Sequence, residues 1–222
     1  MSLDTAKNAL FAKLAGVIRD PRVIEAMRAV PREFFVPSED HHLAYEDEAM
    51  SIGQGQTISQ PYIVALMTSA LELRQTDKVL EVGTGSGYQA AILARLAGTI
   101  ITVERLPLLA QEARRRLGDL GLTNADVREA GEVLGFPEKA PYDAIIVTAG
   151  APPKIPQSLL GQLGFGGRMV IPVGGRYEQD LLKVQRTLEG YSTRSLGPCR
   201  FVPLIGDEGW EDEVGGALDD LL

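Results

Sequence analysis

The chain predicts an α/β domain on a doubly wound, mostly parallel sheet, with N-terminal helices before it and a late antiparallel strand. Three observations carry this. From residue 78 onward, short apolar runs alternate with segments of helical periodicity. Those runs (KVLEV at 78–82, TIITV at 99–103, YDAIIVT at 142–148) are near-continuously apolar, as strands covered on both faces are. Lastly, three glycines crowd the first strand-to-helix turn.

The elements follow in order. Residues 5–18 carry Leu10, Leu14, Val17 and Ile18 at helical spacing, and 21–30 carry Val23, Ile24, Met27 and Val30. Pro31 and Pro37 end that region, and 38–60 reads as irregular, rich in Gly, Ser, Gln and acids. Pro61 suits the first turn of a helix that continues through Ile63, Val64, Met67 and Leu71. The alternation then runs strand 78–82, helix 88–96, strand 99–103, helix 108–120, strand 125–128, strand 142–148 and helix 156–163. Strands at 167–173 and 181–186 close the sheet, the last pair antiparallel.

Composition bounds the function. With 222 residues, 45% apolar and 23% charged, the chain can bury one sizeable core, which excludes global disorder. No apolar run approaches the ~20 residues of a membrane span, and no export pattern opens the chain, so a cytoplasmic protein without membrane partners is expected. A single cysteine, Cys199, excludes an internal disulfide, and the adjacent His41 and His42 read as a surface turn, so no metal is expected. The net charge of −8 argues against nucleic acid as a partner. Residues 207–222 hold seven acids and no base, which leaves the rest at −1 and reads as a solvated acidic extension beyond a domain at 1–206.

The sharpest local signal is Glu81-Val82-Gly83-Thr84-Gly85-Ser86-Gly87-Tyr88. Glycines at such a turn let backbone approach a ligand, and the following helix offers unpaired N–H groups. The spacing G-x-G-x-G is neither the G-x-G-x-x-G dinucleotide fingerprint nor a P-loop. Glu104, closing the next strand, stands where an acid accepts from ribose hydroxyls. The acid before the first glycine, the three glycines and the second acid together resemble S-adenosylmethionine-dependent methyltransferases, in which Glu81 would face the cationic end of the cofactor. A nicotinamide site is the rival. Before this core, residues 53–62 gather hydroxyls and amides at a helix start, which suits either an anion grip or simple capping by Ser59.

Longer stretches narrow the family. GQTISQPY at 55–62, VLEVGTGSGYQAA at 79–91, APYDAIIVTA at 140–149 and IPVG at 171–174 resemble protein-L-isoaspartate O-methyltransferases, as do VPREFFVP at 30–37 and RFVPL at 200–204. GQTISQP is the most specific of these. The resemblance implies a Rossmann-like methyltransferase sheet and methyl transfer from S-adenosyl-L-methionine to the α-carboxyl of L-isoaspartyl residues in damaged peptides and proteins. The ester then collapses to a succinimide that hydrolyses partly to aspartate. It further implies Ser59 as the active-site serine with Thr57 beside it. Gly83, Thr84, Gly85 and Gly87 would frame the methionine part of the cofactor, and Glu104 its ribose. Gln56 and the backbone of Ile171, Pro172, Val173 and Gly174 would meet the substrate, and the enzyme would act as a monomer.

One departure stands out: Ala130-Gly131-Glu132 replaces the family's Gly-Asp-Gly. Gly131 and Glu132 are assigned to the cofactor site, where either Glu132 reaches the adenine from one position along or that contact is lost. Two rival functions remain, a methyltransferase on another acceptor and a non-catalytic cofactor-binding relative. Among single residues, Tyr88 and Tyr142 are expected to pack on the sheet. Arg114–Arg116 are expected to face solvent, and Cys199 to be buried. The chain leaves open whether Trp210 docks on the body.

Overall fold

The computed structural model describes residues 2–212. Helix α1, Leu3–Ala15, starts where Ser2 accepts from the Thr5 N–H, and α2, Pro21–Ala29, starts at Asp20, which accepts from Arg22 N–H. They bury Leu10, Phe11 and Leu14, and Val23, Ile24, Ala26 and Met27; of the positions the spacing predicts, Val17 differs, lying past the end of α1 and exposed. The stretch at 38–60 is less irregular than its composition suggests. It holds an antiparallel hairpin, β1 (Met50–Gly53) and β2 (Gln56–Ile58), turned by Gly53, Gln54 and Gly55, all at positive φ. Strands of four and three residues are too short for periodicity to reveal. Helix α3 (Pro61–Ala70) follows with proline in its first turn.

The core alternates as predicted: β3 (Lys78–Val82), α4 (Tyr88–Leu96), β4 (Thr99–Glu104), α5 (Pro107–Asp119), β5 (Ala125–Glu129), β6 (Tyr142–Val147) and α6 (Gln157–Gln162). Strands β7 (Leu163–Gly174), β8 (Gln179–Thr187) and β9 (Gly190–Cys199) complete seven strands in the order β5-β4-β3-β6-β7-β8-β9. The first five are parallel, while β8 runs antiparallel to β7 and β9 antiparallel to β8. Strand β9 has no counterpart in the sequence reading. Its segment Tyr191–Ser195 is exposed and polar, so this edge strand carries no apolar signal.

Successive residues of β3 serve opposite faces. Val79 packs with α1–α4, and Leu80 and Val82 with β6, α6 and β7. Strand β3 is also where the sheet order reverses, with β4 on one side and β6 on the other. Chain connections leave such a point in opposite directions and open a crevice at the strand C-termini. A buried ion pair between Arg168 of β7 and Asp77 (2.6 Å) clamps the end of the α3 segment, since Arg168 also donates to the Leu71 and Glu72 carbonyls. Tyr88 and Tyr142 are fully buried, as expected.

Three expectations need correction. Arg114 and Arg115 are exposed as expected, although Arg114 donates to the Val127 carbonyl; Arg116 differs, being partly buried with its guanidinium donating to the Ser86 carbonyl. Cys199 is half-buried, with burial and Asp180 pushing its thiol up to about 11. Residues 207–212 are only partly solvated: Glu208, Gly209 and Trp210 are half-buried, with Trp210 Nε1 donating to the Gly150 carbonyl at 2.9 Å, while Asp207, Glu211 and Asp212 are exposed and Asp212 pairs with Arg105 at 2.8 Å. Glu208 accepts from the first amides of α6, Gln157 and Ser158. Acidic residues there satisfy particular donors, which composition cannot reveal. The remaining acidic positions, 213–222, lie outside the described residues.

Candidate active site

The glycine loop takes its shape from backbone angles and a close wall. Gly83 (φ +100°) and Gly87 (φ +91°) occupy conformations that side chains disfavour. A Cβ on Gly83 would collide with Thr148 Oγ1, and one on Gly87 would come within 3.2 Å of Ala113. Thr148 in turn donates to the Val82 and Gly83 carbonyls, and Thr84 hydrogen-bonds Thr102 at 2.5 Å. The loop is thus braced from both neighbouring strands before any ligand arrives.

Two carboxylates face this loop in different states. Glu104 Oε2 accepts from the Gly85 N–H at 2.8 Å and Oε1 from Leu106 N–H at 3.0 Å. Glu81 is fully buried and neither oxygen has a hydrogen-bond partner. Burial, with the nearby Glu104 charge adding to it, pushes its carboxyl up to about 8. A buried, unpaired acid at the ligand-facing end of β3 is a group that a cationic ligand would satisfy.

The cleft over this loop gathers most of the predicted residues. Glu81, Gly83, Thr84, Gly85 and Glu104 line it, as do Gly131 and Glu132. Gly87, the αL residue before α4, is not among its lining. Gln56, Thr57 and Ser59 enter from the hairpin on the other side. Thr57 and Ser59 also line a second cavity, bounded by Arg176, Tyr177, Cys199 and Phe201. The two cavities therefore share these two hydroxyl-bearing residues.

Ser59 does not cap α3. That position is Gln60, without a side-chain cap, and the Tyr62 N–H is taken by Asp47 Oδ1 at 2.9 Å. No hydrogen bond of the Ser59 hydroxyl occurs among the described residues, which leaves it available at the junction. The segment Ile171, Pro172, Val173 and Gly174 lies elsewhere: it pairs with β8, and Ala151 bonds the Pro172 carbonyl and the Gly174 amide. None of the four lines either cavity, whereas Arg176 and Tyr177, just beyond, line the second.

Several contributors escaped the sequence reading. Residues 202–206 form a wall of the first cleft, held by the Trp210 N–H donating to the Leu204 carbonyl and the Leu204 N–H to that of Gly150, while Arg176 lies over the Trp210 ring. RFVPL marked that wall without revealing its role. Asp47 and Arg32, which act behind Ser59, gave no separate signal.

The family described as protein-L-isoaspartate(D-aspartate) O-methyltransferase (PCMT) matches residues 5–209. The chain belongs to that family. Among relatives of this methyltransferase family, the protein-L-isoaspartate O-methyltransferase of Methanoculleus marisnigri is 55% identical over 197 residues, covering 89% of each chain. Protein-L-isoaspartate O-methyltransferase 2 of Pelobacter propionicus is 57% identical over 195 residues, 87% of this chain and 86% of its own. A solved protein-L-isoaspartate O-methyltransferase superposes with a TM-score of 0.81 at 28% identity, over 91% of this chain and 67% of its own. The family match runs past residue 206, the boundary expected for the domain, and takes in the segment up to 209.

Proposed function

We propose that the chain transfers a methyl group from S-adenosyl-L-methionine to the α-carboxyl of L-isoaspartyl residues in damaged peptides and proteins, and so starts their return to aspartyl. The observation that carries this reading is the shared lining. Thr57 and Ser59 border both the glycine-loop cleft and the second cavity, so a donor held in one meets an acceptor entering from the other.

When bound, the cofactor supplies an electrophilic methyl group on a sulfonium. Glu81 would lie against its cationic end, Glu104 would accept from ribose hydroxyls, and Gly131 with Glu132 would border the adenine. Each Glu104 oxygen already accepts one backbone N–H and keeps a lone pair for a further donor. The acceptor carboxylate needs no general base, because a free carboxyl, with a reference pKa near ~4, is ionised at neutral pH. Ser59 and Thr57 would hold that carboxylate by hydrogen bonds, Ser59 acting as an orienting donor and not as a covalent nucleophile. Alignment of oxygen, carbon and sulfur is then the main contribution of the protein, an effect that reaches ~7–11 kcal/mol in well-oriented systems.

The test is radiolabelled methyl transfer to two peptides that differ only in an isoaspartyl or an aspartyl linkage. Label on the isoaspartyl peptide alone is expected. Equal labelling of both, or of neither, overturns the reading.

A further inference from the structure

Arg32 is fully buried, yet it forms no ion pair among the described residues. Its Nη2 donates to the Ser59 carbonyl at 2.8 Å and reaches the Glu48 carbonyl at 3.5 Å, while Nε and Nη1 have no partner. The guanidinium carbon lies 4.9 Å from the centroid of the Tyr88 ring, and Tyr88 is the first residue of α4, directly after Gly87. Phe35 packs edge-on against the same ring, with centroids 5.4 Å apart. Burying a charge with two nitrogens unpaired is unfavourable, and an apolar side chain of similar length would fill the space with less penalty. The compensating feature is geometric: one rigid, planar group touches both the backbone that carries the acceptor-site hydroxyl and the residue that follows the cofactor loop.

We infer that Arg32 is a positioning residue that sets the separation and orientation of Ser59 relative to the glycine loop, through the Ser59 carbonyl on one side and the Tyr88 ring on the other. This rests on the role assigned to Ser59 above. Arg32 lines neither cavity, so it acts through Ser59 and Tyr88 and not from within either one. Its loss lets Ser59 drift against a donor that is still correctly bound. Misplacement by ~1 Å is enough to cost about 10²-fold in rate.

The experiment compares Arg32→Met and Arg32→Lys with the unmodified chain, by steady-state methyl transfer to the isoaspartyl peptide and by calorimetric titration of S-adenosylhomocysteine. For Arg32→Met, kcat is expected to fall about tenfold or more, with S-adenosylhomocysteine affinity and peptide KM each within about twofold of the unmodified chain. Arg32→Lys keeps a donor that can reach the Ser59 carbonyl but loses the planar stack, so its kcat should lie between the two. An Arg32→Met kcat within twofold of the unmodified value overturns the inference. So does a loss of cofactor affinity equal to the loss of kcat, or a rise in peptide KM at unchanged kcat. If Arg32→Met does not fold, Arg32→Lys decides: more than twofold lower kcat at unchanged cofactor affinity supports the role, and a smaller change ends it. An unmodified chain that labels no isoaspartyl peptide defeats the functional reading itself, an outcome distinct from an active chain indifferent to Arg32.

Discussion

Glu104 accepts the backbone N–H of Gly85 at 2.8 Å, so the end of β4 holds the middle of the glycine loop with the same carboxylate proposed to meet the ribose. Loop shape and ligand binding are therefore linked through one side chain. Glu104→Gln places an amide N–H₂ against one of two backbone donors, Gly85 or Leu106. Hydrogen bonds to charged groups contribute ~1.5–3 kcal/mol, so S-adenosylhomocysteine affinity should drop about 10–100-fold in calorimetric titration.

Ser59→Ala removes a hydroxyl that makes no hydrogen bond within the described protein, so folding should be unaffected. Methyl transfer to an isoaspartyl peptide is expected to fall about 10–100-fold in kcat while cofactor affinity stays within about twofold. Undiminished turnover in that variant would remove Ser59 from the chemistry.

The pH behaviour of Glu81 has a definite sign. Burial lifts its carboxyl from the ordinary 4.5 to about 8, so the folded, ligand-free protein holds this proton over a range in which the unfolded chain has lost it. The stability linked to that proton is fully present below about 4.5 and declines as pH rises towards about 8. Thermal midpoints of the free protein should carry that falling component, and Glu81→Gln should abolish it. Affinity for S-adenosylmethionine should rise from pH 6.5 to 9 (about the span of this titration), because only the ionised carboxylate attracts the cationic end. A pH-independent affinity would show that Glu81 does not face that charge.

Glu132 is exposed at the rim of the cleft, one position beyond the aspartate of the family pattern. If it bonds the adenine amino group, Glu132→Ala weakens S-adenosylhomocysteine by about 2–10-fold, the span of one ordinary hydrogen bond. Equal affinities mean that the adenine is held without it.

Trp210 is the chain's sole tryptophan and anchors the wall at 202–206 through Gly150 and Leu204. Its fluorescence should therefore change on titration with S-adenosylhomocysteine. Trp210→Ala loosens the wall and should weaken cofactor binding by about 2–10-fold. A silent fluorescence titration together with unchanged affinity in Trp210→Ala would separate this segment from the cleft.

What could be read from the chain was local. Near-continuous apolar runs at Lys78–Val82 and Tyr142–Val147 marked central strands because both faces of those strands are covered. The opposite held for β9, whose exposed Tyr191–Ser195 carries no pattern, and for the three-residue β2 that presents Thr57. Composition captured the exposed Asp207, Glu211 and Asp212 but not Glu208, whose carboxylate accepts from the first amides of α6, nor the docking of Trp210 on Gly150.

The order of strands and helices from β3 to β8, the glycine loop and its two acids follow from the amino-acid sequence alone, because periodicity and turn chemistry act over a few neighbouring residues. Tertiary structure decided how Ser59 comes to border the same cleft as Gly83, which acid caps α3, and where Arg32 sits between them. Those relations depend on segments far apart in the chain meeting over the point where the sheet order reverses. Only packing of the whole core brings them together.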